Sequence, residues 1–217
     1  MLQPMKTVNF CLWSLGLLLQ AVLLIRITRF RLFLHMPMFA ILIAFYVVRS
    51  LILYCIFTHL DVVAYNHLKD VLSLVDLVLQ IVLALEIALH TLRALPPTHP
   101  GRRLHFAAPL TAGAILAVIL ALAVPETARV PFDRGIVFTA LLALLLFAWM
   151  TLAKVTGSQR LIAGGLAFYG IIAVLAAIGR NYSILYRSPA GFLTASYTQS
   201  GAYLLIALYW ILTIRAA

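Results

Sequence analysis

The sequence predicts an all-α polytopic membrane protein, with seven transmembrane helices in one bundle, the N-terminus outside and the C-terminus inside. Three observations carry that expectation. Of the 217 residues, 65% are hydrophobic and 10% are charged, whereas a soluble domain is roughly 45–50% apolar and about 25% charged. The apolar residues gather into seven runs, on the scale of the roughly 20 residues that carry a helix across a hydrocarbon core about 30 Å thick. The basic residues sit at the ends of those runs and favour one side, the pattern by which Lys and Arg hold a chain's orientation in a membrane.

The runs make a single transmembrane domain over residues 1–217 and leave no stretch for a separate soluble one. Span one covers about 8–25 and stops at Arg26, Arg29 and Arg31. With a lone Lys6 ahead of it and no small-residue cleavage site before the arginines, it reads as a retained span and not a signal peptide. Span two, about 36–57, carries Pro37 in its first turn, where a missing N–H loses no helical bond. A polar link holding Asp61, His67, Lys69 and Asp70 leads to span three, about 71–92. Residues 96–103 contain three prolines and Gly101 and read as a loop.

Span four, about 106–124, ends at Pro125 and Glu126, and Asp133 stands where an N-cap belongs for span five, about 135–152. Residues 154–160 form a short turn. Span six, about 161–178, is rich in small residues: Ala163, Gly164, Gly165, Ala167, Gly170, Ala173 and Ala176. Small faces let helix backbones approach closely, so this is a packing helix, either within the chain or towards a protein partner or a second copy. A long link over 180–199, with Tyr182, Tyr186, Phe192 and Tyr197, precedes span seven, about 200–214.

The inner side holds Arg26, Arg29, Arg31, Arg93, Arg102, Arg103, Lys154, Arg160 and Arg215 with no acid among them. The outer side holds Lys6, Lys69, Arg129, Arg134, Arg180 and Arg187 together with Asp61, Asp70, Glu126 and Asp133. The net charge of +10 is thereby explained by topology and by anionic lipid headgroups at the inner face; nucleic acid is not an expected partner. The setting is a cell membrane crossed many times, of the bacterial inner-membrane kind. Cys11 and Cys55 fall near the same face, where free thiols behaving as small apolar side chains outweigh a disulfide.

Span three alone carries several ionisable groups. At about 100° per residue, Asp76, Gln80 and His90 fall within roughly 80° of one another, and Ser73 and Glu86 widen the arc to about 140°. Arg49 lies at matching depth in span two, and consecutive spans joined by a short link are usually neighbours, so an Arg49–Asp76 ion pair shared with Gln80 is expected. That set is either a ligand-binding site open to the outer face or a pair that fixes the register of two helices. Glu86 and His90, four residues apart near the inner face, could serve as a proton relay or bind a metal with a third ligand such as His35 or His105; the plainer reading is an interfacial pair beside Arg93 that reaches for water. No metal site is expected.

Pro37-Met38-Phe39, Tyr46 and Arg49-Ser50 in span two, with Leu85-Glu86-Ile87 in span three, resemble a group of small bacterial seven-span integral membrane proteins without an assigned function. The resemblance covers about a quarter of the chain; it implies the seven-span fold, draws attention to Arg49 and Glu86, and supplies no chemistry. No cofactor is predicted. Span seven has no lysine to form a retinal Schiff base, and His35, His59, His67 and His90 sit at span ends or in links, not facing one another inside helices as a haem would need. Three functions follow: a receptor-like or small-ligand or lipid-binding protein using Arg49, Asp76 and Gln80; a proton- or ion-coupled transporter using the stripe; or a structural subunit of a larger membrane complex. A catalytic reading has the least support, since no nucleophile–base pair or metal spacing stands out.

Overall fold

Helix boundaries in this chain follow proline, glycine and left-handed residues more closely than they follow the limits of the apolar runs. The computed structural model describes residues 3–57, 62–94, 111, 115, 133–152 and 155–214. Of these, 94% are helical and none lies in a strand. The helices are α1 (Gln3–Arg29), α2 (Leu32–His35), α3 (Pro37–Phe57), α4 (Val62–Ala94), α5 (Asp133–Leu152), α6 (Ser158–Leu185) and α7 (Pro189–Thr213). Span four lies outside the described residues except for Thr111 and Ile115, both helical.

Four of these helices contain stretches long and apolar enough to cross a membrane: Val8–Arg29, Pro37–Cys55, Val63–Arg93 and Ser158–Leu185; Ile136–Leu152 is a shorter apolar stretch. Leucines and isoleucines such as Leu18, Ile25, Leu74, Leu175 and Leu205 point outward. A helix apolar on every side belongs in an apolar surrounding, so the protein has the helices of a membrane protein.

Two breaks show how the chain turns. Arg31 adopts a left-handed φ of 54°, closing α1, and Met36 leaves helical geometry at φ −137° and ψ 65°. The ring of Pro37 disfavours a helical residue before it while suiting the first position of α3. Between α6 and α7 the turn is tighter still. Arg187, at φ 52°, lets Ser188 N–H donate to Ser183 C=O at 2.8 Å and its own N–H donate to Ile184 C=O at 3.2 Å, a Schellman closure with arginine in glycine's usual place. Ser188 then caps α7, its Oγ accepting from Gly191 N–H at 3.2 Å, with Pro189 at the first helical position.

Two expected links are therefore mostly helix. Only 186–188 of the 180–199 stretch are non-helical: its tyrosines and hydroxyls are polar but break nothing, and Ser183, Thr194, Ser196, Thr198 and Ser200 turn their hydroxyls onto carbonyls four residues back. Likewise α4 starts at Val62, ahead of the apolar run, because residues 62–94 contain neither glycine nor proline.

The helices divide into two units. The first comprises Met1–Leu83 and Tyr203–Ala217. Met36 just ahead of α3 and Phe39, Leu42 and Ile43 on it are, with Leu23 and Ile27 of α1 and Trp210 and Ile214, fully or nearly fully buried. Phe39 meets Trp210 edge-on at 5.2 Å. Contacts between Gln20 and Tyr203 and between Arg26 and the carbonyls of Ile211 and Ile214 show α1 and the end of α7 running parallel. Arg26 thereby satisfies carbonyls at the end of α7 that the helix itself leaves open. In contrast, Tyr46 lies against Tyr203 and Phe39 against Trp210, so α3 runs opposite to both, and α4 runs opposite to α3.

The second unit, Ala84–Ala202, is centred on α5 against α6. The small residues of α6, among them Ala163, Gly165, Ala167, Gly170 and Ala173, are buried, and a Cβ on Gly170 would stand 2.7 Å from Ala140 Cα. Ala84 and Ala88 of α4 pack with Leu142 and Leu146 of α5.

Gly170→Ala should therefore force α5 and α6 apart and cost about 1–3 kcal/mol, read as a lower midpoint of thermal unfolding in detergent, while Gly201→Ala, with open space at its Cβ position, should not lower it. Arg187→Gly should raise the midpoint, since relieving a left-handed non-glycine residue is worth about 1 kcal/mol.

Candidate functional site

Charged side chains inside apolar helices are costly enough that each needs a partner or access to water, and in the first unit Arg49 and Asp76 meet that need between α3 and α4. On α3, Tyr46 and Arg49 are three residues apart; on α4, Ser73, Asp76 and Gln80 are spaced three and four apart. Both spacings keep side chains on one helical face, and the antiparallel run of the two helices sets the faces opposite each other.

Arg49 Nη1 donates to Asp76 Oδ2 at 3.0 Å, and Arg49 Nη2 donates to Ser73 Oγ at 3.2 Å. The Ser73 hydroxyl in turn donates to Lys69 C=O at 2.8 Å. The other carboxylate oxygen, Asp76 Oδ1, accepts from Gln80 Nε2 at 2.9 Å, and the same amide lies 3.4 Å from the Tyr46 hydroxyl, which accepts from it. Both oxygens of Asp76 are thus engaged, one by a cation and one by a neutral amide. The side chains of Arg49 and Asp76 keep 22% and 19% of their surface accessible, so the pair is only partly buried within the protein. The structure thus brings Arg49, Asp76 and Gln80 together, with Ser73 and Tyr46 as further members.

Glu86 and His90 lie further along α4, in the second unit, each half-buried. Thr91, beside them, is buried with its hydroxyl donating to Ile87 C=O at 2.8 Å. Among the described residues no three His, Cys, Asp or Glu side chains gather as a metal site would require. His35, His67 and His90 lie at helix ends or in outer turns, and His59 and His105 lie outside the described residues. Cys11 and Cys55 are free and exposed, near the stacked rings of Trp13 and Tyr54, 4.3 Å apart.

Sequence reasoning passed over two polar groups. In the first unit, Gln20 on α1 donates from Nε2 to the Tyr203 hydroxyl at 2.8 Å, and the Tyr203 ring meets the Tyr46 ring edge-on, centroids 5.9 Å apart. In the second unit, Arg180 donates to Gln199 Oε1, while Gln199 Nε2 donates to the Tyr169 hydroxyl at 3.3 Å. A lone glutamine amid the leucines of α1 was the available signal for the first; the second was hidden by reading 180–199 as a link. No family model, characterised protein or solved structure matches this chain.

Removing one member of the pair strands the other: Arg49→Leu or Asp76→Leu alone should each destabilise by about 1–3 kcal/mol, less than for a fully buried pair because both side chains keep some solvent access. The double substitution should recover most of the loss, a coupling measurable as a thermodynamic cycle of thermal unfolding in detergent.

Proposed function

We propose that this protein is a seven-helix, receptor-like membrane protein that binds a small polar ligand or a lipid headgroup at Arg49, Asp76 and Gln80, open to the outer face of a cell membrane. The observation that carries the reading is a charged pair set among apolar helices yet partly accessible. The partial exposure leaves a cation, a carboxylate and an amide within reach of an incoming group. Arg49 would take an anionic or carbonyl group of the ligand, Asp76 an ammonium or hydroxyl, and Gln80 with Tyr46 would orient it.

The seven-span count draws support from crossing parity. In the first unit α4 and α7 run in the same direction, so an odd number of crossings separates them. Helices α5 and α6 would supply two, and the sequence expectation of a span at about 106–124 would make the third. The excess of Arg and Lys at the ends of α1, α4 and the chain favours placing those ends inside, which sets Arg49 about 12 Å below the outer end of α3.

A second reading, proton-coupled transport, is favoured by one detail. Because Arg49 and Gln80 each hold one oxygen of Asp76, a proton on Asp76 would break one of those contacts, giving the site two discrete states. Mass spectrometry of the purified protein should detect a co-bound small molecule or lipid that is lost in both Arg49→Ala and Asp76→Asn. Retention in both variants would sink the binding site, and loss of proton-driven flux in Asp76→Asn proteoliposomes without any bound ligand would favour transport.

A further inference from the structure

Arg26 and Arg49 each meet negative charge within the first unit. Arg49 has the Asp76 carboxylate, and Arg26 has the carbonyls of Ile211 and Ile214 near the end of α7, where a helix carries partial negative charge. Arg180, in the second unit, bonds the side-chain oxygen of Gln199, and among the described residues it meets no carboxylate. A neutral amide satisfies part of a guanidinium's hydrogen-bonding fork and leaves its charge unbalanced.

The position makes that costly. Arg180 is half-buried and lies within Ser158–Leu185, the stretch of α6 long and apolar enough to cross a membrane, five residues or about 8 Å of helix from its end. An arginine so near a helix end can extend outward to water, but this one reaches the other way. Gln199 stands ten residues into α7, about 15 Å of helix beyond its start. Its Nε2 donates at 3.3 Å to the hydroxyl of Tyr169, eleven residues before Arg180 on α6. The guanidinium is thus turned away from the nearer ends of both helices, and a cation so placed in an apolar span calls for a counter-charge.

The neighbouring side chains indicate which anions are at hand. Tyr182 and Tyr186, with rings 4.3 Å apart, are each 62% exposed. Tyrosines at the end of a span gather at the headgroup level of a membrane, which puts Arg180, two residues deeper than Tyr182, about 3 Å of helix below the layer that holds lipid phosphates.

We propose that Arg180, positioned by Gln199, binds one oxyanion, a phosphate or carboxylate group supplied by a lipid headgroup or by a solute. The guanidinium presents its remaining N–H donors as a planar fork, the geometry that takes two oxygens of such a group, while Gln199 Oε1 holds the fork in place and Tyr169 anchors the amide. The site is independent of whether Arg49 and Asp76 bind a ligand.

The test is thermal unfolding of the full chain after exhaustive washing in an uncharged detergent. At constant ionic strength, inorganic phosphate or acetate is compared with chloride, and short-chain phosphatidylglycerol with short-chain phosphatidylcholine. At least one of the anionic probes should raise the midpoint by a few degrees over its control; a response to phosphate or acetate assigns a solute, and a response to phosphatidylglycerol alone assigns a headgroup. The rise should vanish in Arg180→Gln. Gln199→Glu brings a carboxylate to Arg180 from within the protein, so it should raise the midpoint without any added anion and abolish the response, which keeps the test decisive if Arg180→Gln fails to fold. The Arg49→Leu/Asp76→Leu double variant should retain the rise. Absence of any rise in the wild type, a rise of equal size in Arg180→Gln or Gln199→Glu, or its loss in the double variant would each overturn the proposal.

Discussion

Along an apolar helix in a membrane there is no water to satisfy a polar side chain, so each one must find its partner within the protein. That constraint shapes this chain more than any single contact. Ser73, Thr91, Thr151, Ser183, Thr194, Ser196, Thr198, Ser200 and Thr213 all donate to the carbonyl four residues earlier on their own helix. Hydroxyls can be hidden in this local way because the acceptor's second lone pair is free. Carboxylates, guanidinium groups and amides cannot, and it is these that reach from helix to helix: Arg49 to Asp76, Gln80 to Tyr46, Gln20 to Tyr203, Arg180 to Gln199. The long-range polar contacts are thus made by the groups too large or too strongly charged to be satisfied at home.

The two units use different means to hold helices together. In the first, large side chains interlock, with Phe39 and Trp210 edge to face and Met36, Leu42 and Ile43 filling the space around them. In the second, small residues on α6 bring it so close to α5 that Gly170 has no room for a methyl group beside Ala140. Without a hydrophobic force between helices in lipid, close approach and the dispersion contacts it permits do the work that exclusion of water does elsewhere.

How much of this was legible in the sequence depended on distance along the chain and on the kind of signal. The all-helical membrane class was plain from composition. The meeting of Arg49 with Asp76 could be read because each is a lone charge in an apolar helix and only a short link lies between them. Gln20 and Tyr203 could not be paired, being 183 residues apart and each unremarkable alone. The stretch 180–199 reads as a link in sequence yet is mostly helix, because polarity is a poor guide to where a helix ends; Ser188-Pro189, a cap followed by a residue suited to the first turn, marks the break. Helix α4 extends beyond the expected span for the same reason, since His67, Lys69 and Asp70 are polar but helix-compatible.

The bond between Gln20 and Tyr203 has a consequence for synthesis. A ribosome adding about 5–20 residues per second needs on the order of ten seconds or more to travel from one partner to the other. For that interval α1 is already made while α7 is not, so the Gln20 amide and the Arg26 guanidinium must be accommodated by the insertion machinery, by lipid headgroups or by water. The polar residues of α1 therefore lack these protein partners until α7 is made, and they make α1 dependent on α7 for a stable place in the membrane.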